Sequence, residues 1–287
     1  MHKNFLISDK DNYNLETKNK VEKFSEYLSN IIEEGIIIAF SGGTDSAMLL
    51  WAAQKVKENI GGNIIAVTQD SISLPRKDLE EAKNYTKSLG IKHEIVQGKE
   101  LEDPNYIKND LNRCYYCRKD LFKITDTIKA RDGYKYVLYG YNASDKSDFR
   151  PGHKAAIENN VLAPLAEIGF TKDEIRQVLR NNNITLADKP ATPCLSSRVM
   201  TGIPIDKQHL KNIEAMENVL WDKRAKKFRI RLCKDEKDYF LRIEASEEDI
   251  PIVLSNKNEL IKMSKEFNYK WITLDLEGYK LGGGVKK

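Results

Sequence analysis

Six residues, Ser41-Gly42-Gly43-Thr44-Asp45-Ser46, lie where a β-branched apolar run gives way to a helical stretch. Two adjacent glycines let a backbone turn tightly and come close to a ligand. The helix N-terminus that follows offers amide donors and a partial positive charge, which suit an anion. Ser41 and Ser46 add hydroxyls; the alternative is a glycine turn capped by Ser or Asp. The stretch contains neither Gly-x-x-x-x-Gly-Lys nor Gly-x-Gly-x-x-Gly, which excludes the two commonest nucleotide fingerprints.

The chain has four cysteines, Cys114, Cys117, Cys194 and Cys233. Cys114 and Cys117 form a C-x-x-C within NRCYYC. Half-buried helix thiols are one reading, and a redox pair fits poorly because that motif belongs at a strand-to-helix turn. Metal binding gains support from the third cysteine, in Pro-Cys194-Leu-Ser-Ser-Arg. Three thiolates with no fourth ligand nearby are unusual for structural zinc, which closes its shell with four. On a [4Fe–4S] cluster the same set leaves one iron able to take an outside ligand. Cys233 alternates with Arg229 and Arg231 along FRIRLC and reads as a bystander.

Arg229 and Arg231 project to one side of that segment, and Phe228, Ile230 and Leu232 to the other. Two guanidiniums so spaced can grip a phosphate, or they can be solvated arginines on an amphipathic strand. The loop from Gly140 to Gly152 gathers Asp145, Asp148 and Arg150 after a strand end, where sheets of this kind build active sites. His2, His93, His153 and His209 are scattered and form no acid–base arrangement.

The elements that must position these residues alternate. Apolar runs predict strands at 36–40, 63–68, 92–98 and 134–141, with helices at about 21–34, 45–56 and 77–89 and another carrying the cysteine pair. That order predicts an α/β fold, a parallel sheet with helices on both faces. After about residue 200 the order becomes helix (207–221), strands (228–233, 239–245), helix (about 248–267) and strand (269–276), a smaller α+β C-terminal domain. The Pro- and Gly-containing stretch 188–206 is the junction, and the domains are taken as 1–195 and 196–287.

Hydrophobic residues make up 40% and charged residues 31%, which excludes disorder and collagen-like repeats. No apolar run approaches the roughly 18 residues of a membrane span, and the opening residues lack the apolar core of a secretory signal. Thiol cysteines and a cytoplasmic location are therefore expected. Lys+Arg 47 against Asp+Glu 43 gives +4, too balanced to argue for nucleic acid.

SGGTDS resembles the pyrophosphate loop of the ATP pyrophosphatase (PP-loop) superfamily, whose members split ATP to AMP and pyrophosphate while adenylating a substrate oxygen. The resemblance implies ATP with Mg²⁺ at the carboxyl ends of the strands, on Ser41, Gly42, Gly43, Asp45, Ser46, Thr68 and Gly140. With the loop GYNASDKSDFRPG, PCLSSR, FRIRL and WITLDLEGYKLGG in one order, the chain is similar to the LarE family of sulfur transferases over nearly its whole length. That family adenylates the carboxylates of pyridinium-3,5-dicarboxylate mononucleotide and converts them to thiocarboxylates for the nickel-pincer nucleotide cofactor. Some members sacrifice a cysteine that matches Cys194. Others carry two more cysteines and resemble cluster-dependent thiolases, and Cys114 and Cys117 put this sequence with them. By the same match Ser197, Arg229 and Arg231 would bind the substrate phosphate. Cys194, Arg198 and Asp45 would be catalytic, with Asp145, Asp148, Arg150, Glu217 and Glu244 as further site residues. A [4Fe–4S] cluster, sulfide or a sulfur donor, and a homo-oligomer are implied. The competing readings are a cluster-dependent tRNA thiolase, a sacrificial Cys194 enzyme and a non-enzymatic sensor that uses the cluster as a signal.

Overall fold

The computed structural model describes residues 5–7, 13–147, 151–190 and 193–280. In chain order it begins with α1 (Leu15–Ile31), β1 (Ile36–Ala39), α2 (Thr44–Ile60), β2 (Ile64–Asp70), α3 (Arg76–Ser88) and β3 (Lys92–Gln97). Then come α4 (Pro104–Ile107), α5 (Arg113–Asp132), β4 (Tyr136–Tyr139), α6 (Pro151–Glu158), α7 (Pro164–Ile168) and α8 (Lys172–Asn181). Last are α9 (Lys207–Asp222), β5 (Phe228–Asp235), β6 (Asp238–Ala245), α10 (Ile250–Ser255), α11 (Lys257–Glu266) and β7 (Ile272–Leu274). The chain divides into two compact units. The first comprises Met1–Ser71, Arg76–Lys99 and Cys114–Thr192; the second comprises Ile72–Pro75, Glu100–Arg113 and Pro193–Lys287.

The first unit is a parallel sheet in the order β3–β2–β1–β4. β1, most of β2 and β4 are apolar and buried because both faces are covered, whereas the edge strand β3 is only partly buried. Ile36, Ile38, Ala66 and Leu138 pack with Val21, Phe24 and Leu28 of α1, with α2, and with Ile175 and Val178 of α8. Ile37, Ala39, Val67, Val137 and Tyr139 face the other way, onto Leu121 and Phe122 of α5 and Ala155 and Ala156 of α6. This is the α/β arrangement expected from the alternation. From β1 the chain crosses to β2 on one side, and β4 lies on the other, so the connections diverge at the carboxyl ends of β1 and β4. Ligands bind open α/β sheets at such a switch point.

The second unit holds the sheet β5–β6–β7, with β5 and β6 antiparallel and β6 and β7 parallel. Leu210, Ile213, Met216 and Leu220 are the buried apolar residues of α9. Two expectations need correction. The single helix at about 248–267 is two, α10 and α11, because the Asn256 Nδ2 donates to the Ile252 carbonyl (2.7 Å) while its backbone leaves helical geometry (φ −105°, ψ 12°). The strand at 269–276 is only Ile272–Leu274, since Asp275 starts a turn whose carboxylate accepts the Glu277 N–H (3.0 Å). Among the described residues no helix is long and apolar enough to cross a membrane.

Candidate functional site

The first unit places SGGTDS at the switch point. Gly42 has φ 71°, a left-handed conformation that favours glycine. Gly43 is the N-cap of α2, so the first-turn amides lack intrahelical acceptors, as at any helix start. Gly140, just past β4, approaches the same helix so closely that a Cβ there would lie 2.7 Å from the Ser46 nitrogen. Ser41 Oγ lies 3.4 Å from Ser46 Oγ, and Ser46 donates to the Gly43 carbonyl (3.1 Å). The Thr68 hydroxyl donates to the Phe40 carbonyl (2.7 Å) and meets His93 Nε2 (2.8 Å), so this buried side chain is committed within the sheet.

Carboxylates gather beside the loop. Asn142 Nδ2 donates to both Asp45 Oδ2 (3.2 Å) and Asp145 Oδ2 (3.1 Å). Lys172 Nζ reaches Asp45 Oδ1 at 2.6 Å. Lys172 is set there by the start of α8, where Thr171 and Glu174 form a reciprocal capping box. Lys189 Nζ donates to the Gly42 carbonyl (3.0 Å) and pairs with Asp78 (2.9 Å) and Glu81 (2.8 Å), which ties down the outside of the turn. Asp148 and Arg150 lie outside the described residues. The loop that was expected to run to Gly152 is a 3₁₀ turn at Ala143–Ser147, and α6 begins at Pro151.

Cys114 and Cys117 occupy the first turn of α5, three residues apart and so on one helical face. Cys114 is exposed and Cys117 half-exposed. One turn later Asp120 accepts from Gln69 Nε2 (2.7 Å) near the carboxyl end of β2, so the cysteine turn belongs to the same end of the sheet as the phosphate loop. A Cβ at Gly152 would lie 3.4 Å from the Cys114 carbonyl, which puts the start of α6 beside it.

In the second unit, Pro193-Cys194-Leu195-Ser196-Ser197-Arg198 forms a short 3₁₀ turn with Cys194 exposed at its head. Its backbone is held from several sides. Leu195 N donates to the Ser73 carbonyl (2.7 Å), and the buried hydroxyls of Ser73, Tyr106 and Ser196 bond one another, with Tyr106 to Ser196 at 2.8 Å. Arg113 Nη1 donates to the Ser196 carbonyl (3.1 Å), and Asn109 Nδ2 to those of Met200 (3.1 Å) and Ile203 (2.8 Å). Arg198 is the largest fully buried side chain among the described residues. Its Nε and Nη2 engage Glu217 bidentately (3.1 and 3.0 Å), while Nη1 reaches the Cys194 carbonyl (3.2 Å) and Ser197 Oγ (3.3 Å). Arg231 engages Glu244 (3.0 and 2.9 Å) and the Ser197 carbonyl (2.8 Å), and Arg242 takes the other Glu244 oxygen (2.8 Å). Arg229 donates to the Phe228 carbonyl (2.6 Å) and lies over the Tyr279 ring.

Arg198, Arg229 and Arg231 are buried beside two buried carboxylates, Glu217 and Glu244, so among the described buried side chains of this cluster three guanidiniums stand with two carboxylates. Burial opposes the Arg198 charge, yet Glu217, then Cys194 and Tyr279, hold its pKa above the ordinary value. Burial pulls Arg229 below its ordinary value, and the Arg198 charge adds to this. The reading of Arg229 and Arg231 as solvated residues on an amphipathic strand is therefore overturned: β5 is buried on both faces through Cys233. Burial pushes the Cys233 thiol up, which disfavours the thiolate.

Ser197, Arg198, Glu217, Arg229, Arg231 and Glu244 thus meet in one cluster, and Ser41, Gly42, Gly43, Asp45, Ser46, Gly140 and Asp145 meet in another. The cysteines divide, with Cys114 and Cys117 in the first unit and Cys194 in the second. Among the described residues no three His, Cys, Asp or Glu side chains form a metal-holding group. Sequence reasoning missed Lys172, Lys189 and Asn109. None carries a local motif, although Asn142 lay inside a segment already singled out.

A parallel α/β sheet with a glycine turn and helix N-terminus at its switch point suits the phosphates of a nucleotide. A PP-loop domain family model matches residues 16–147. An uncharacterized protein of Synechocystis is 35% identical over 92% of this chain and 96% of its own length. One of Methanocaldococcus jannaschii is 30% identical over 85% and 90%. The chain belongs to one family with these two proteins, and its residues 16–147 form a PP-loop domain. The pyridinium-3,5-bisthiocarboxylic acid mononucleotide synthase of Lactiplantibacillus plantarum is 28% identical over 86% of this chain and 87% of its own.

Proposed function

We propose that this chain is an ATP-dependent sulfur transferase that converts the carboxylates of pyridinium-3,5-dicarboxylate mononucleotide to thiocarboxylates, a LarE-type activity. The observation that carries the reading is an exposed thiol, Cys194, on a rigidly held turn whose next residues, Ser197 and Arg198, run into a buried cluster of three guanidiniums and two carboxylates. That arrangement suits a reactive sulfur beside a bound phosphate. The similarity to the Lactiplantibacillus synthase supports the substrate.

In this reading the phosphate loop binds ATP through the α2 amides, Ser41 and Ser46. Asp45 and Asp145 supply hard oxygen ligands that suit Mg²⁺. The substrate carboxylate oxygen attacks the α-phosphate, pyrophosphate leaves, and the acyl-adenylate carries AMP as leaving group. Sulfide then adds to the acyl carbon, AMP departs, and one proton is released. Arg229, Arg231 and Ser197 would hold the substrate phosphate, with Glu244 fixing Arg231. Arg198, held by Glu217, would stabilise charge at the reacting carboxyl.

The donor set suits a [4Fe–4S] cluster in kind, since thiolates are its usual ligands and Cys114, Cys117 and Cys194 are exposed or half-exposed. These three would hold the cluster, which when bound supplies a site for sulfide.

An anaerobic assay with ATP, sulfide and the dicarboxylate mononucleotide tests the reading by mass spectrometry. The expected product is heavier by about 16 Da per exchanged oxygen, with one AMP and one pyrophosphate per exchange. Pyrophosphate release that is independent of the mononucleotide, with no mass shift, would overturn it. A loss of about 34 Da at Cys194 after turnover would instead identify the sacrificial variant.

A further inference from the structure

Behind the phosphate loop runs a chain of hydrogen bonds whose direction can be read proton by proton. Thr68 of β2 and Thr86 of α3 are buried, and His93 of β3 lies between them. Its Nε2 is 2.8 Å from the Thr68 hydroxyl and its Nδ1 is 3.0 Å from that of Thr86. The Thr68 hydroxyl is also 2.7 Å from the Phe40 carbonyl oxygen. A carbonyl can only accept, and a hydroxyl has a single hydrogen. That hydrogen goes to Phe40, so Thr68 meets the imidazole as an acceptor and Nε2 must carry a proton. In the neutral ring Nδ1 is then an acceptor, and the Thr86 hydroxyl donates to it. Thr86 can spare its hydrogen, because its other acceptors are the Ala82 and Lys83 carbonyls (3.0 Å each), which lie inside α3 and take helical amides.

The reverse tautomer fails this count. With the proton on Nδ1, Nε2 would need the Thr68 hydrogen, and the Phe40 carbonyl would lose it. Phe40 is the residue before Ser41, so its carbonyl leads into the loop. The loop leans on the same elements. A Cβ on Gly42 would lie 3.2 Å from the Asp78 carbonyl and 3.5 Å from the Ala82 Cβ, both of α3. The Phe40 ring meets those of Tyr85 and His93, with centroids 5.8 and 6.2 Å away. The Tyr85 hydroxyl donates to the Ala47 carbonyl in the first turn of α2 (3.1 Å). A buried peptide oxygen that loses its donor must shift to find another or stay unpaired at a cost. At the entry to an anion site either outcome disturbs the loop.

We propose that His93 is a positioning residue for the phosphate loop: fixed as the Nε2–H tautomer, its ring turns the Thr68 hydrogen onto the Phe40 carbonyl and so sets the peptide that leads into Ser41. The inference rests on the loop binding ATP, and adds the residue that orders its entry.

Two-bond proton–nitrogen correlation spectra of the full chain at about pH 8, where imidazoles are neutral, report the tautomer directly. The His93 ring, identified by its absence from His93→Gln, should show the Nε2–H pattern, and an Nδ1–H pattern overturns the proposal. Calorimetric titration with Mg²⁺ and ATP reads the consequence. His93→Gln keeps a donor for Thr68 and an acceptor for Thr86, so the affinity should stay within about twofold. His93→Glu offers only acceptors, draws the Thr68 hydrogen off Phe40 and should weaken binding about tenfold. Equal affinities of the two variants overturn the proposal. The glutamate also adds a charge, so the pair is repeated in a Thr68→Val background, where the difference should vanish; its persistence overturns the proposal. Should His93→Glu fail to fold, Thr68→Val against Thr68→Ser takes its place. Valine should weaken ATP binding and serine should not, and equal binding overturns the proposal. Failure of the unsubstituted chain to bind ATP removes the ATP reading and the proposal with it. An Nδ1–H ring in a chain that does bind ATP defeats the proposal alone.

Discussion

In the first unit an anion would meet backbone: two glycines, the amides of a helix start and two serine hydroxyls, with the nearby ammonium groups of Lys172 and Lys189 tied to Asp45, Asp78 and Glu81. In the second unit it would meet side chains, the buried guanidiniums of Arg198 and Arg231 held by Glu217 and Glu244, with Arg229 beside them on the Phe228 carbonyl. The first construction depends on how closely chain segments can approach, the second on charges that are tolerable only in combination. A backbone site therefore fails when an atom is added, and a side-chain site fails when a charge is removed.

The largest effect should come from breaking a charge pair in the second unit. Glu217 accepts from Arg198 Nε and Nη2 and from the Ile230 N–H (3.0 Å), so Glu217→Ala strands a buried guanidinium and a backbone donor together. Loss of one partner of a buried pair costs about 3–5 kcal/mol. Trp221 and Trp271 belong to the second unit and Trp51 to the first. Denaturant unfolding followed by fluorescence, with Trp51→Phe as background, should show a much lower midpoint for the second unit. An unchanged midpoint would mean that the cluster contributes little to holding this unit together.

Next in size is Gly140→Ala. The new methyl would lie 2.7 Å from Ser46 N and 3.0 Å from Asp45 Cβ, against backbone and the root of a side chain, neither of which can swing aside. Misplacement of a catalytic loop by about 1 Å can cost roughly a hundredfold in rate. ATP-dependent pyrophosphate release should fall by about that factor, with phosphate binding in the second unit retained. If mononucleotide binding fell equally, the two regions would not be separable in the way the comparison requires.

How legible each region was in the sequence follows from the same difference. Glycines at fixed spacing announce a backbone site locally, so the loop, its strand and its helix could all be read from consecutive residues. Alternation placed Arg229 and Arg231 on one face of β5 but could not say whether that face was covered. The answer depends on the turn at 193–198 and on α9, which brings Glu217 to the cluster. The segments 72–75 and 100–113 join the second unit through Ser73, Tyr106 and Asn109, side chains whose partners are about 90 or more residues away. Lys172 and Lys189 were invisible for the same reason, lying 127 and 147 residues from the loop groups they hold.

Lys189 sharpens the comparison further, because it is a side chain that serves the backbone site. Lys189→Met removes the donor to the Gly42 carbonyl and leaves Asp78 and Glu81 without their shared ammonium, close to where phosphates would arrive. The expected result is a rise of about tenfold in KM for ATP, with a smaller change in kcat, consistent with weakened ground-state binding. A fall in kcat alone would instead assign Lys189 to the transition state.

The smallest effect expected is one that the two regions share. Each unit contains an imidazole whose pKa lies below the ordinary 6.5 because of burial: His93, bonded to Thr68 and Thr86 and also disfavoured by the Lys83 charge, and His209, bonded to Tyr269. In the unfolded chain each takes up a proton as the pH falls through about 6.5, while the folded protein resists until a lower pH. Over that window the unfolded state binds more protons, so stability falls as the pH falls, and it is intact above the window. Guanidiniums do not titrate there, so the arginine cluster should add nothing to the slope. Unfolding midpoints measured from about pH 7.5 to about pH 5.5 should decline, and His93→Gln should flatten the decline for the first unit only, as His209→Gln should for the second. A decline in the second unit that survives His209→Gln would overturn the assignment of that slope to His209.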